Sequence, residues 1–244
     1  MLKAAIEKIE AMSAPTIRTI EGHNFLVRKE GYEEIRPIVD IPDCIDLYSL
    51  DAVVKMIKTE AIPRYAGETL YINIPNHLRV DVFRQPRPEA HEIRPLLYTA
   101  EATDVPGWEP ETKLAFERAA IALQTRFQDS EDRAYTLQLL SQITTGAKVT
   151  YNDIGVATTI VTQKGINLQQ NATIKPLVKL RPYRTFQEVD QPEGLFLIRI
   201  DERGISFIEA DGGMWKLKAR ETIKAYLEEH LAQEIENGSV IVML

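Results

Sequence analysis

Hydrophobic positions along the chain follow two periods that alternate in blocks. Leu2, Ala5, Ile6 and Ile9 recur at helical spacing and predict an amphipathic helix over residues 2–12, ended by Pro15. A two-residue period follows, with Ile17 and Ile20, then Phe25 and Val27, across the turn residues Glu21 and Gly22. Ser49 is a good N-cap for a helix through Ile57, with Asp51 in its first turn and Lys55 and Lys58 near its end. The run ETLYINIPNHLRVDVF alternates on both sides of Pro75-Asn76 and predicts a hairpin, and LLYTAEA predicts a further strand. Asp104 to Pro110, with two prolines and a glycine, reads as a linker.

Helical spacing returns at Leu114, Ala115, Arg118, Ala119 and Ala122. Asp129-Ser130 before Glu131-Asp132 is a cap signal for a second helix. After Gly146 the β pattern resumes, and GLFLIRI and ISFIEA flank a turn at 201–204. The run MWKL follows a second turn signal, Asp211-Gly212-Gly213, so residues 147–217 are expected to form one antiparallel sheet system. A closing helix is predicted from about Ala219 to Ile235, and SVIVML ends as an apolar strand. The class is α+β: mostly antiparallel sheets, with helices at the N-terminus, middle and near the C-terminus. Two regions are expected, an N-terminal α+β region over residues 1–105 and a C-terminal α+β domain over residues 106–244, able to pack as one unit.

Composition narrows the partners. A net charge of -7 over 244 residues argues against coating of duplex DNA, which needs a broad basic face. The single cysteine, Cys44, excludes an intramolecular disulfide and reads as a buried or inert thiol. The N-terminus lacks the apolar core of a signal peptide, and no window is long enough for a membrane helix. A soluble intracellular protein is expected.

The phosphate-loop, dinucleotide, zinc-protease and nucleophile-elbow signatures are absent, and His23, His77, His91 and His230 are scattered. No cofactor, metal or catalytic residue is implied. Asp129, Glu131 and Asp132 read as helix caps rather than a magnesium site. Asp211-Gly212-Gly213 reads as a turn before an anion site. The sharpest signal is electrostatic. Between Asp153 and Glu188 no acid occurs, yet Lys164, Lys175, Lys179, Arg181 and Arg184 do, with Tyr183 and Phe186 among them. Arginine reads phosphate in fork geometry and aromatic rings stack on bases, so this window is a candidate anion site. Pairing of Arg184 with Glu188 and Asp190 in a local network explains the same charges.

The blocks RFQDSEDRAYTLQLLSQI, KLRPYRTFQEVDQPEGLFLIRI and ISFIEADGGMWKLKARETIKAYL resemble the YfdQ-like family of uncharacterised phage and prophage proteins, over Phe116 to Leu231. DLYSLDAVVKMI fits the early helix of that family. The resemblance implies a phage or prophage origin and expression in the cytoplasm of a bacterial host, among early genes, some near recombination functions. It assigns no reaction and no site residue.

Two functions follow as expectations. The first is a non-enzymatic protein binding a small phosphorylated, nucleotide-type ligand, such as a host defence signal. Lys175, Lys179, Arg181 and Arg184 would hold phosphate, and Tyr183 or Trp215 would stack on the base. The second is an accessory factor in phage DNA replication or recombination that touches single-stranded DNA or a partner protein. A homo-oligomer is also expected. The uncharged run Val240 to Leu244 needs cover, either inside the monomer's sheet or from a second subunit.

Overall fold

The computed structural model describes residues 3, 16–20, 23–28, 31–35, 43–86, 94–145, 148–153, 158–163, 169–173, 175–201 and 203–244. Most of the helix predicted over residues 2–12, His91 and Lys164 lie outside them. Two compact units form: Met1–Asp43 with Arg84–Pro95, and Cys44–Phe83 with Leu96–Leu244.

The smaller unit holds an antiparallel meander of β1 (Thr16–Ile20), β2 (His23–Arg28) and β3 (Gly31–Ile35). Phe25 and Tyr32 meet edge to face across β2 and β3, with ring centroids 5.9 Å apart.

The larger unit carries a five-stranded sheet. Its members are β4 (Ile45–Leu47), β5 (Leu70–Asn76), β6 (Arg79–Arg84), β7 (Leu96–Glu101) and β14 (Val240–Met243). Their order is β14-β5-β6-β7-β4, with β14–β5 and β4–β7 parallel and β6–β7 antiparallel. Alternation puts Leu70, Ile72 and Ile74 of β5 inside. Against them pack α1 (Leu50–Met56), through Leu50 and Val53, and α5 (Met214–His230), through Ile223 and Leu227. Ser49 caps α1 as expected, its Oγ accepting the Ala52 N–H at 3.1 Å. The helix runs on through a π turn, Ile57–Ala61, into the short α2 (Ile62–Arg64).

A second core lies in the same unit. There α3 (Phe116–Arg126) and α4 (Glu131–Thr145) pack on the antiparallel sheet β11-β12-β13. These strands span Leu177–Leu180, Gly194–Asp201 and Gly204–Glu209. Phe196, Ile198 and Ile200 of β12 point inward on alternate positions, meeting Leu123, Leu140 and Ile143. Ser130 caps α4 as expected, accepting the Arg133 N–H at 3.1 Å. A further antiparallel sheet is built from β8 (Lys148–Asp153), β9 (Thr158–Gln163) and β10 (Gln169–Thr173). The short α6 (Ala232–Glu236) follows α5.

The α+β class and its mostly antiparallel sheets agree with expectation. Three details differ. Residues 147–217 hold two separate sheets, and 214–217 are helical. The Asp211 turn launches α5 instead of a hairpin, because Gly212 and Gly213 take φ of 63° and 82° and Asp211 Oδ1 accepts the Gly213 N–H at 3.0 Å. Trp215, Ala219, Ile223 and Leu227 then fall on one buried helical stripe. Finally, β14 is neither central nor covered on both faces. It is the sheet's edge, with Val240 buried but Ile241 43% exposed.

No helix among the described residues is long and apolar enough to cross a membrane. Cys44 is exposed rather than buried, its Sγ 3.6 Å from Thr99 Oγ1.

Candidate functional site

The cationic segment 179–192 is held as a rigid loop. Pro182 bridges Phe127, the Tyr183 N–H donates to Arg126 O at 2.9 Å, and the Gln128 N–H donates to Arg181 O at 2.8 Å. Beyond Tyr183 the chain wraps the amide of Gln191, which is buried. Gln191 Oε1 accepts the N–H groups of Arg184 and Thr185 at 2.8 and 3.2 Å, and its Nε2 donates to Phe186 O and Val189 O at 3.0 and 3.2 Å. One side chain thus satisfies a loop that no strand or helix pairs. Glu188 Oε1 accepts the Leu50 N–H at 2.8 Å, fixing the loop to the start of α1. Thr185 Oγ1 donates to His77 O.

This scaffold sends the cations of the window to different places. Lys175 Nζ lies 2.7 Å from Asp132 Oδ1, and the Lys179 N–H donates to Asp132 Oδ2 at 2.6 Å. Burial pushes the Asp132 carboxyl up, but the Lys175 and Lys179 donors outweigh it and hold the group below the ordinary carboxylate range. Lys179 Nζ lies 3.2 Å and Arg181 Nη2 3.9 Å from Glu193. Lys175 and Lys179 are exposed and Arg181 is half-buried; all three pair with acids, and none lines the pocket that holds Arg184. The local network of Arg184 with Glu188 and Asp190 does not form. Glu188 caps α1, and the partner of Arg184 is Glu209 at the end of β13.

Arg184 is the exception among the cations. Its side chain is only 6% exposed, with Nη1 2.8 Å from Glu209 Oε1. Beyond that ion pair, Nη1 and Nη2 are shut off from solvent and have no further hydrogen-bond partner among the described residues. The guanidinium stacks 4.2 Å from the Trp215 ring centroid and 5.1 Å from that of Phe196. Burial holds its pKa below the usual value, with Glu209 and Asp211 acting against that shift.

Arg184 and Trp215 form one wall of a cleft of about 320 Å³. The hairpin turn between β5 and β6 supplies His77, residues 105–110 supply Trp108, and Tyr183, Glu209 and Lys216 complete the polar and aromatic lining. His77 meets Trp215 edge to face at 4.7 Å. Desolvation first, then Lys216 and Arg184, lower the His77 pKa, so the imidazole is neutral at neutral pH. The indole N–H groups of Trp108 and Trp215 are buried and have no hydrogen-bond partner among the described residues. Unpaired buried donors are uncommon, and here three side chains lining one cleft carry them.

Of the six residues singled out in the sequence, the cleft gathers Tyr183, Arg184 and Trp215 and leaves out Lys175, Lys179 and Arg181. Trp215 is a packed ledge and does not stack on a base, which was the other part expected of it. It is 7% exposed and covered by Arg184, so it offers no free face to a base. The segment 104–110, read as a linker, forms a wall of the cleft. His77, Trp108, Glu209 and Lys216 were not anticipated. Glu209 and Lys216 flank the Asp211-Gly212-Gly213 turn, the one local signal that pointed to them.

Among the described residues no group of three or more His, Cys, Asp or Glu side chains is placed to hold a metal ion. Compared with protein-family models, with curated proteins and with solved structures, the chain gives no significant match to any.

Proposed function

We propose that the chain is a binding protein for a small phosphorylated, nucleotide-type ligand, taken up in the cleft of Arg184. One observation carries this reading. A buried guanidinium backs an open cleft whose lining also holds aromatic side chains and an exposed lysine. The buried positive charge and the rim lysine together favour an anionic ligand. Trp108 and Tyr183, both half-buried, offer ring surface to a base, and Lys216 at the exposed rim offers a cation to phosphate. The volume falls within the range of small-ligand pockets. In a phage or prophage, the origin implied by the YfdQ-like resemblance, such a protein would sequester a nucleotide signal of the host.

The chain has two tryptophans, and both line the cleft, so intrinsic fluorescence reads occupancy directly. Titration with ribonucleotides should quench or shift that emission, and Lys216→Ala should weaken the response. No response to any ribonucleotide overturns the reading. A response confined to single-stranded oligonucleotides, steeply weakened by salt, replaces it with the DNA-accessory function. That alternative is disfavoured because Lys175, Lys179 and Arg181 are paired with acids instead of forming a track.

Self-association belongs to the same proposal: a second copy adds along the outer edge of β14. Exposed Ile241 and Leu244 on an unpaired edge support it. A monomer by light scattering at micromolar concentration overturns it.

A further inference from the structure

Resting on the nucleotide reading above, we propose that His77 and Lys216 hold the ligand's phosphate between them, and that His77 takes up a proton as the ligand binds. The lining of the cleft contains three basic side chains, His77, Arg184 and Lys216. Arg184 is closed off: its side chain is 6% exposed, it pairs with Glu209, and it is stacked on Trp215. It supplies positive potential to the cleft and no contact. Lys216 is exposed and His77 half-buried, so these two are the bases that a bound anion can touch.

Both are fixed to the same corner of the fold. Lys216 stands in the first turn of α5, next to Trp215, and the His77 ring packs edge to face on that indole at 4.7 Å. The hairpin that carries His77 is itself held. Asn76 Oδ1 accepts the Leu78 N–H at 2.8 Å, His77 O accepts from Thr185 Oγ1, and Arg220 Nε donates to Ile74 O at 2.9 Å. The place of the imidazole beside the start of α5 is thus set before a ligand arrives.

The charges around His77 decide what a bound anion does to it. From α5 comes Lys216, from the 179–192 loop Arg184 with Tyr183 beside it, and from the end of β13 Glu209. Residues 105–110 bring Trp108 and no charged side chain to the lining. Glu209 is engaged by Arg184 at 2.8 Å, which leaves Lys216 as the charge with no acid beside it in the lining. Burial, then Lys216, then Arg184 disfavour the protonated ring. A phosphate between His77 and Lys216 reverses that balance. It offsets both cations and gives an imidazolium a charged acceptor. The anion therefore binds the protonated form more tightly, and by linkage its binding draws the proton in.

The sign follows. His77 is protonated up to a higher pH in the complex than in the free chain. Its contribution to affinity is constant below the free-chain value, falls as pH rises from that value to the bound one, and is constant again above. One proton changes affinity by at most about tenfold per pH unit.

Of the ribonucleoside mono- and triphosphates, the one giving the largest tryptophan response is titrated across about pH 5 to 8 into the full chain and into His77→Asn. The phosphate of the ligand titrates in the same range, and the ratio of the two affinities at each pH removes that contribution. The ratio should favour the parent chain increasingly as pH falls, by up to about tenfold per pH unit. In the parent chain, the assigned ring resonance of His77 should titrate at higher pH with ligand than without, a magnetic-resonance readout that does not depend on how the variant folds. A His77 titration that stays in place or moves down overturns the proposal and leaves the nucleotide reading standing, as does a flat ratio with a folded variant. If none of the ribonucleotides gives a response, the nucleotide reading falls and this proposal with it.

Discussion

Arg184 lies over the Trp215 ring, its guanidinium carbon 4.2 Å from the ring centroid, and the two residues come from a loop and a helix 31 positions apart in sequence. The contact ties the 179–192 loop to the first turn of α5. It also helps keep a buried charge in place beside its acid partner, Glu209.

Trp215→Ala should therefore destabilise the fold by about 3–5 kcal/mol, combining a large core deletion with loss of the guanidinium's support. Trp215→Phe keeps a ring and should cost about 1 kcal/mol. Urea unfolding checks this, as a fall in midpoint at unchanged slope. Equal effects of the two substitutions would mean the ring face is immaterial.

Gln191→Ala should cost about 3 kcal/mol, because it strands the buried N–H groups of Arg184 and Thr185 and frees two carbonyls. The variant should also lose ligand-dependent tryptophan emission, since the loop that aims Arg184 is no longer held. A variant as stable as the parent would show that water substitutes for the amide.

Asp132 supplies a pH dependence with a definite sign. Its carboxyl is held below the ordinary range in the fold, so its stabilising contribution is fully present above the unfolded-state value. That contribution disappears as pH falls through the lower folded-state value. Asp132→Asn should lower the melting temperature at pH 7 and make little difference near pH 2, as measured by scanning calorimetry at both values.

Gly204→Ala is expected to be among the most damaging single substitutions. At φ of 145° a Cβ there would sit 2.0 Å from Leu114 O, the carbonyl that accepts the Ile205 N–H at 2.9 Å. Backbone strain and a broken bridge together should cost about 3 kcal/mol or more, read by denaturant unfolding or as failure to accumulate in soluble form.

Local chemistry made much of the fold legible. Ser49 and Ser130 marked two helix starts because a hydroxyl cap acts within three residues. Phe196, Ile198 and Ile200 marked a one-sided strand because a pleat repeats every two. Met214-Trp215-Lys216-Leu217 misled because four residues are too few to separate the two periods. Only the stripe from Trp215 through Leu227 shows the helix. The cationic window exposed real charges but not their partners. Asp132, Glu193 and Glu209 are brought to it by packing, and pairing across elements leaves no trace in local spacing. Half of the cleft was missed for the same reason: His77, Trp108 and Glu209 come from three separate stretches.

The parallel pairing of β14 with β5 has a kinetic consequence. Thr69 Oγ1 bonds to Gly238 O across 169 residues of sequence, beside the first rung of that pair. Closing so long a loop is entropically slow and cannot be prepared by local structure. Until residues 240–243 arrive, β5 offers Leu70 and Ile72 along an open edge, a template for any other extended chain. Refolding yield should then fall as protein concentration rises, with intermolecular strand addition competing against a closing step that each molecule completes once.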